Sequence, residues 1–526
     1  MTKLNVFRNR PVAVIGAGVM GVGIVQVALL AGHPVLLFDV REGAAAMAAE
    51  QLMGTLAKLA DKGKLAPADV EAARGRLVVA TALAELRDAA LVVEAIVENL
   101  GAKQALMREL EAVVSHECVL ASNTSSLSIT AVARGLAVPG RVVGMHFFNP
   151  VPLMRLVEVV SGLATEPAVA DAIQLLAQDW GKTAVHAKST PGFIVNRIAR
   201  PFYAEALALL QEQAATPAVL DACVRGAGFR MGPCELMDLI GHDTNLAVTQ
   251  SVYEANFFDK RYQPSLVQRE MVDGGLLGRK SGRGFYRYPE GAARGADGDA
   301  GATPLPAVPL VLHGEGATAD LLAARLAAAG LGFTREPADA AGDTGLRIGD
   351  GHLMLTDGRC AIERAQAAGS ADVALFDWPV GPAGAPSTTP VAALAWTAAA
   401  QASPEFVARA AEVLRALGWL PQRVADVPGL VVARTIAMLV NEASDAVEQG
   451  VCDAAGADSA MTLGVNYPAG PFAWLAAWGA RPITAMLDAL DAFYRGERYR
   501  VSPRLRRATW MSASAPPASP VSPASR

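Results

Sequence analysis

The chain has 526 residues, 52% of them apolar and 18% charged, with a net charge of −5 and a pI near 5.9. That length suits three or four domains of ordinary size, and the charge balance, without a local run of lysine or arginine, offers no field for nucleic acid. Cys118, Cys223, Cys234, Cys360 and Cys452 are scattered, without the close pairs of a zinc site or a disulfide framework; the expectation is no metal and a reducing, cytoplasmic setting.

Pro11 to Gly32 carries no formal charge and follows Lys3, Arg8 and Arg10, so a hydropathy window reads it as a leader or a membrane span. Gly16, Gly18, Gly21 and Gly23 in its middle argue for something else: an apolar strand from Val12 to Ile15, a turn, an apolar helix to Ala31, and a second strand ending at Asp39. The turn, G-A-G-V-M-G, is a dinucleotide pattern. Gly16 makes the bend, Gly18 lets backbone approach a pyrophosphate, and Gly21 lets helix pack on strand, with the helix N-terminus facing the anion. Asp39 stands about twenty residues on, where a ribose hydroxyl is accepted, and an acid there repels a 2′-phosphate. NAD is therefore favoured over NADP, with Arg41 pulling the other way. The bland alternative is a doubly wound sheet that binds something else.

Strand-like runs continue at Arg76 to Ala80, Ala90 to Asn99, Cys118 to Ser126 and Arg141 to Pro150, separated by helical patterns. That alternation predicts a Rossmann-type parallel sheet with helices on both faces, and ligands in such sheets lie beyond the carboxyl ends of strands. Glu98, Asn123, Ser125 and His146 fall there. A hydride acceptor needs a partner that takes the hydroxyl proton, and histidine titrates near neutrality. In "GMHFFNPVPLMRLVEVV", Glu158 follows His146 inside an apolar run, where a carboxylate would fix the imidazole tautomer. Taken alone, the pair is better explained by a structural histidine bonded to a carbonyl, with Glu158 on a solvated strand face.

"ASNTSSLSIT", "GMHFFNPVPLMRLVEVV", "KSTPGFIVNR", "MGPCELMDLIG" and "GRKSGRGFYRY" follow the glycine turn in that order. The series, over residues 10–288, resembles the short-chain L-3-hydroxyacyl-CoA dehydrogenase family. The resemblance implies NAD-dependent oxidation of an (S)-3-hydroxyacyl-CoA, with His146 as general base, Glu158 as its partner, Ser125 bonding the substrate hydroxyl and Asn196 near the reacting carbonyl. It also implies NAD contacts at Glu98, Lys103 and Asn123, and, from a looser match in "TLAKLADKGK", coenzyme A contacts at Thr55 and Lys62. Cys234 stands where the family pattern leads us to expect phenylalanine, which reads as repacking, a shaped acyl pocket or a reactive thiol. A sugar-acid dehydrogenase of the same superfamily and a non-catalytic NAD-binding scaffold are the other readings.

Tyr288 to Pro309 is rich in Gly, Ala and Pro, and the chain then repeats itself. "PLVLHGEGATADLLAARLAAAG" keeps Gly314 and Gly316 but no third glycine, and "DVPGLVVARTIAMLVNEA" parallels "STPGFIVNRIARPFYAEA" with Ala433 at the place of Asn196. The expected order is a Rossmann-like domain (1–187), a helical domain (188–288), a linker (289–306), a degenerate Rossmann-like repeat (307–425), a second helical domain (426–510) and a disordered tail (511–526). The second helical domain is expected to pair with the first as a pseudo-dimer within one chain, which leaves a further homo-oligomer open. Stand-alone duplicated chains of this kind resemble enzymes of aromatic-acid catabolism such as phenylacetate degradation, with 3-hydroxyadipyl-CoA or 3-hydroxybutyryl-CoA as substrate.

Overall fold

The computed structural model describes residues 7–290, 308–338, 343–381 and 392–514. Most of the expected linker (291–307) and the Ser/Pro/Ala-rich end from 515 lie outside the described residues.

The first α/β module is built on β1 (Val12–Ile15), β2 (Val35–Phe38), β3 (Leu77–Val79), β4 (Leu91–Glu94), β5 (Val119–Ser122), β6 (Val142–Phe147), β7 (Leu156–Ser161) and β8 (Thr183–Lys188). They form one sheet in the order β3-β2-β1-β4-β5-β6-β7-β8, parallel except for the antiparallel pair β6–β7. Central strands are buried on both faces and read as continuous apolar runs, as a sheet covered on two sides requires. The crossovers are α1 (Val19–Leu30), α2 (Ala44–Asp61), α3 (Pro67–Arg76), α4 (Leu100–Val113), α5 (Ile129–Val132) and α6 (Pro167–Asp179). Val14, Leu37, Val93, Met145 and Val159 pack one sheet face against Ile24, Leu52, Leu56 and Ile173 of α1, α2 and α6. The run expected to be extended from Ala90 to Asn99 leaves the sheet at Glu94, whose carboxylate accepts the Ile96 N–H at 3.2 Å and so turns the backbone.

Helices α7 (Val195–Ile198), α8 (Arg200–Gln211), α9 (Pro217–Gly226), α10 (Pro233–Ile240), α11 (His242–Ala255) and α12 (Leu266–Asp273) follow. The wording "MDLIGHD…GFYRY" becomes a clamp. Asp238 accepts the N–H groups of Phe285 (2.9 Å) and Tyr286 (3.0 Å), the Tyr288 hydroxyl (3.0 Å) and the His242 imidazole (2.9 Å).

The repeat contributes β9 (Leu310–His313), α13 (Ala317–Ala328), β10 (Thr334–Glu336), β11 (Gly345–Ile348), β12 (Gly351–Leu355), α14 (Ala361–Ala368), β13 (Val373–Phe376), β14 (Ala392–Ala398), α15 (Pro404–Ala416) and β15 (Trp419–Arg423). Its sheet runs β10-β9-β11-β12-β13-β14-β15. β11 is antiparallel to both neighbours, so a hairpin stands where the first module has parallel strands. The all-α remainder is α16 (Val432–Glu448), α17 (Ala454–Gly464), α18 (Pro471–Trp478), α19 (Ala480–Tyr494) and α20 (Pro503–Ser514).

Compact packing divides the chain otherwise than its order does. One unit is Met1–Ile198 with Gln449–Asn466, so that α17 packs on β7, β8 and α7. The other is Ala199–Glu448 with Tyr467–Arg526, and in it α9 packs on β14. Several buried charges in this second unit are paired, which offsets their cost in a low-dielectric interior. Glu205 of α8 meets Arg434 of α16 and Arg498, each at 2.9 Å, and Arg261 meets Glu442 and Asp445. Among the described residues no helix is long and apolar enough to cross a membrane, and no group of three or more His, Cys, Asp or Glu side chains is placed to hold a metal ion.

Candidate active site

The glycine turn after β1 separates into two kinds of glycine. Gly16 has φ +107°, and a Cβ there would lie 2.5 Å from the Ala95 carbonyl oxygen; a Cβ on Gly21 would lie 1.8 Å from the Gly16 carbonyl oxygen. Those two are required by the protein's own packing. Gly18 is not: its φ is −79°, and a Cβ would meet nothing within 4 Å. It also stands as N-cap of α1 without a side-chain cap, so first-turn N–H groups stay available to an anion. A bare backbone patch at an uncapped helix start fits the pyrophosphate of a dinucleotide. Asp39 follows β2. Its carboxylate accepts the Ala17 N–H at 2.7 Å and is gripped by Arg41, whose Nε and Nη2 donate at 3.0 and 2.9 Å. The Arg41 hydrogen bonds hold the carboxyl well below the usual carboxylate range.

Beyond β4 and β5 a polar chain runs inward. Lys103 of α4, 1% exposed, donates to both oxygens of Glu94, itself fully buried, at 2.9 and 2.8 Å. Burial pushes the Glu94 carboxyl up, against the pull of the Lys103 ammonium. Glu98 lies 3.4 Å from the same ammonium and accepts from the Thr124 hydroxyl (2.7 Å), the Ser125 N–H (2.8 Å) and the Ser126 N–H (3.1 Å). Burial opposes its ionised form, but the Thr124 hydrogen bond, the Lys103 charge and the other donors outweigh it and hold the carboxyl below its ordinary value. Glu98 therefore sets the shape of the loop carrying Ser125, and Lys103 acts on that loop through Glu98. Asn123 ties the loop to β6 by accepting the Phe147 N–H at 2.9 Å.

β6 turns back as β7 through a short connection, which sets His146 directly opposite Glu158. The imidazole Nδ1 stands 2.6 Å from Glu158 Oε2, with His146 5% and Glu158 0% exposed. Phe148 and Phe193 pack their rings on the imidazole, with centroids 4.5 and 5.8 Å away. The second carboxylate oxygen has its own task, accepting the N–H groups of Ile194 (3.1 Å) and Val195 (2.9 Å), where α7 begins. The next residue, Asn196, donates through Nδ2 to the Ser125 carbonyl at 3.4 Å. His146, Glu158, Ser125 and Asn196 are thus joined by one set of contacts. A carboxylate that accepts Nδ1–H leaves Nε2 as the nitrogen that takes a proton.

Thr55 and Lys62 stand on exposed positions of α2 and at its C-terminus; the Thr55 hydroxyl donates to the Gln51 carbonyl at 2.9 Å. Cys234 is fully buried, which pushes its thiol well up and fits a packing role. Sequence reasoning missed Glu94, and the only signal was an acid inside the apolar run "LVVEAIV". It also missed the backbone donors of α7 on Glu158 and, beside the phenylalanines of "HFFNP", the contribution of Phe193.

The repeat keeps the frame of this site and loses its chemistry. At the turn, Ala319 stands for Gly21, and in strand register Pro337 stands for Asp39. Phe193 and Leu430 share positive φ (46° and 50°) after glycines at 76° and 72°, so the two Pro-Gly turns have one backbone shape. A buried carboxylate meets the second turn too. It is Asp377, at the end of β13, which accepts the N–H groups of Val431 (2.9 Å), Val432 (2.6 Å) and Ala433 (2.9 Å).

Family models match in the same order. The 3-hydroxyacyl-CoA dehydrogenase NAD binding domain covers residues 11–190, its C-terminal domain covers 192–288 and 429–513, and the 3-hydroxybutyryl-CoA dehydrogenase reduced Rossmann-fold domain covers 353–428. The chain is 41% identical over 506 residues to the 3-hydroxyadipyl-CoA dehydrogenase of Escherichia coli (strain K12), covering 94% of this chain and 96% of that one. A probable 3-hydroxybutyryl-CoA dehydrogenase of Bacillus subtilis (strain 168) is 42% identical over 282 residues, covering 53% of this chain and 98% of its own. The crystal structure of an E. coli K12 3-hydroxybutyryl-CoA dehydrogenase superposes with a TM-score of 0.85 at 40% identity, covering 96% of this chain and 99% of that chain. With two C-terminal-domain matches, one dinucleotide-binding match and a relative alike over nearly its whole length, the chain belongs to the 3-hydroxyacyl-CoA dehydrogenase family and is an NAD-dependent oxidoreductase.

Proposed function

We propose that the chain oxidises (S)-3-hydroxyadipyl-CoA, and less readily (S)-3-hydroxybutyryl-CoA, to the 3-oxoacyl-CoA, as a step in the breakdown of aromatic acids such as phenylacetate. The observation that carries the chemistry is the 2.6 Å contact between His146 Nδ1 and Glu158 beside Ser125 and Asn196. His146 Nε2 takes the proton of the 3-hydroxyl, and Glu158 steadies the imidazolium as it forms. Ser125 orients that hydroxyl, and the Asn196 amide stands by the oxygen as the carbon–oxygen bond becomes double. When bound, the dinucleotide accepts the hydride from the carbinol carbon. Phe148 and Phe193 exclude water, so the attraction between imidazolium and carboxylate works at low dielectric.

NAD is the acceptor on this reading. Gly18 and the first-turn N–H groups of α1 receive the pyrophosphate, with Gly16 and Gly21 shaping the turn, and the Asp39 carboxylate takes the ribose hydroxyls and repels a 2′-phosphate. Glu98, Lys103 and Asn123 shape the loop at the nicotinamide end. Thr55 and Lys62 serve the phosphate end of coenzyme A from α2. The dicarboxylate substrate is supported by the relative that matches along almost the whole chain, whose name carries 3-hydroxyadipyl-CoA.

The test is the reduced-nicotinamide absorbance of the purified full chain with NAD or NADP and a series of (S)-3-hydroxyacyl-CoA thioesters, with and without a terminal carboxylate. The expected result is turnover of the thioesters with NAD and a higher kcat/KM when the acyl end is charged. Turnover of free sugar acids alone, or of nothing in the series, would overturn the reading.

A further inference from the structure

α17 is encoded 290 or more residues after the His146 strand, yet it packs in the same compact unit, on β7, β8 and α7. Its inner face is Gly456, Ala457, Ala460, Met461 and Gly464, residues small enough, Met461 apart, for the helix to lie close against the sheet. Two bonds fix the segment before it. The Lys188 N–H donates to the Val451 carbonyl at 2.9 Å, and Arg197 Nη1 donates to the Gln449 side chain at 2.9 Å.

Gly464 is where this helix meets the catalytic strand. It is the last residue of the helix and its φ is not in the left-handed region, so conformation gives no reason for glycine. Space gives the reason. A Cβ there would lie 2.7 Å from Leu156 Cδ2, 3.0 Å from Val195 Cγ2 and 3.8 Å from Phe148 Cε1. Each of these three bears on the acid-base pair. Leu156 shares a strand face with Glu158 two residues on, Val195 donates its N–H to the Glu158 carboxylate, and Phe148 stacks on His146.

The same device recurs in the other unit. There the Ala425 N–H donates to the Ala214 carbonyl at 2.9 Å, and a Cβ on Gly226, the last residue of α9, would lie 2.4 Å from the Ala393 carbonyl oxygen of β14. In both cases the accepting carbonyl stands two residues before the helix N-cap, Asp453 or Thr216. Each α/β module is therefore closed by a helix that belongs, in chain order, to the other half. Only the module closed by α17 has an acid-base pair beneath it.

We propose that α17 is a positioning element for the His146–Glu158 pair, and that Gly464 is the point through which the half of the chain without catalytic groups sets the geometry of the half that has them. The proposal rests on the reading of His146 as general base. Gly464 and Leu156 are positioning residues; neither touches reacting atoms. A displacement of about 1 Å in such a pair costs up to about a hundredfold in rate.

The experiment is a double-mutant cycle in the full chain with Gly464→Ala, Leu156→Val and both together. NAD affinity is measured by titration, and kcat and KM with the best thioester. Each single change is expected to lower kcat by about tenfold while NAD affinity and KM hold. The pair, in which the shortened side chain makes room for the new methyl, is expected to regain most of the loss. Unchanged kcat in a folded single variant, or losses that merely multiply in the pair, overturn the proposal. Should Gly464→Ala fail to fold, Leu156→Val, which loosens the contact instead of filling it, decides by the same readings. His146→Gln run alongside separates the failures: full activity there would sink the base itself, whereas loss there with no effect at Gly464 would sink only the role of α17.

Discussion

Leu375 faces Thr397 in the last pair but one of the β13–β14 ladder, as His146 faces Glu158 in the last pair but one of the β6–β7 ladder. Neither Leu375 nor Thr397 carries a group that could do acid-base chemistry. A carboxylate that holds the Pro-Gly turn is nevertheless present, on the strand neighbouring that of Thr397 and two residues after Leu375, as Asp377. Holding the turn and orienting a histidine are therefore separable tasks, and Glu158 performs both with its two oxygens.

The two tasks of Glu158 separate by mutation. Glu158→Gln keeps an acceptor for the Ile194 and Val195 N–H groups but takes the carboxylate from the imidazole; kcat should fall by about 10²- to 10⁴-fold with little change in melting temperature. Glu158→Ala should show the same loss and in addition about 1–3 kcal/mol of destabilisation, because two buried donors are left without acceptors. His146→Gln should lose about 10²- to 10⁴-fold in kcat and leave NAD titration unchanged. Urea unfolding and steady-state kinetics on the three variants measure both quantities.

Lys103 is tied to Glu94 at 2.8 Å, with both side chains shut away from solvent. Removing the ammonium as Lys103→Met strands the carboxylate and should cost about 3–5 kcal/mol in unfolding free energy. Adding Glu94→Gln should recover most of that. If the single variant were as stable as the parent and only NAD affinity suffered, Lys103 would be a cofactor ligand and not the support of the Glu98 loop.

Asp39 is kept ionised by Arg41, and on the proposed reading its carboxylate guards the ribose. Asp39→Ala should raise the KM for NAD roughly ten- to a hundredfold, as loss of hydrogen bonds to a charged group does. With the acid gone, Arg41 is freed to meet a 2′-phosphate, so the NAD-to-NADP ratio of kcat/KM should fall as well. An unchanged ratio would remove Asp39 from cofactor selection.

Burial pushes the Asp377 carboxyl up to about 6, above the value of about 3.9 for an unfolded aspartate. Below both values the group is protonated in either state. Between them the folded chain holds a proton that the unfolded chain has released, so this group's stabilising share is present in acid and is lost as pH rises through about 6. Asp377→Asn should flatten the change in urea midpoint between about pH 4 and pH 6. A slope equal to the parent's would assign the effect elsewhere, for instance to Asp221, which burial also pushes up to about 6.

Much of this molecule was legible in the chain because its information is local. The glycine turn, Asp39 and the strand runs are short-range patterns, and His146 meets Glu158 because twelve residues of hairpin suffice to set them opposite. Glu94 was not legible. An acid inside "LVVEAIV" reads as strand, and its ion pair with Lys103 depends on where α4 lands. Asp377 escaped notice since "FDWPV" keeps no histidine and the acid follows the first strand of its antiparallel pair, not the second. The packing of α17 on β7 left no periodic trace at all, because its small-residue face would suit any close neighbour.

Synthesis runs from the N-terminus, and the exchange of α9 and α17 sets an order on maturation. Residues 1–198 leave the ribosome before the helix that packs on β7 and β8, and that helix, within residues 449–466, emerges only after the second α/β module. On the proposed reading, the His146–Glu158 pair cannot be seated until residues 449–466 have been made, and a product stopped before them holds both side chains without the helix that packs beside them.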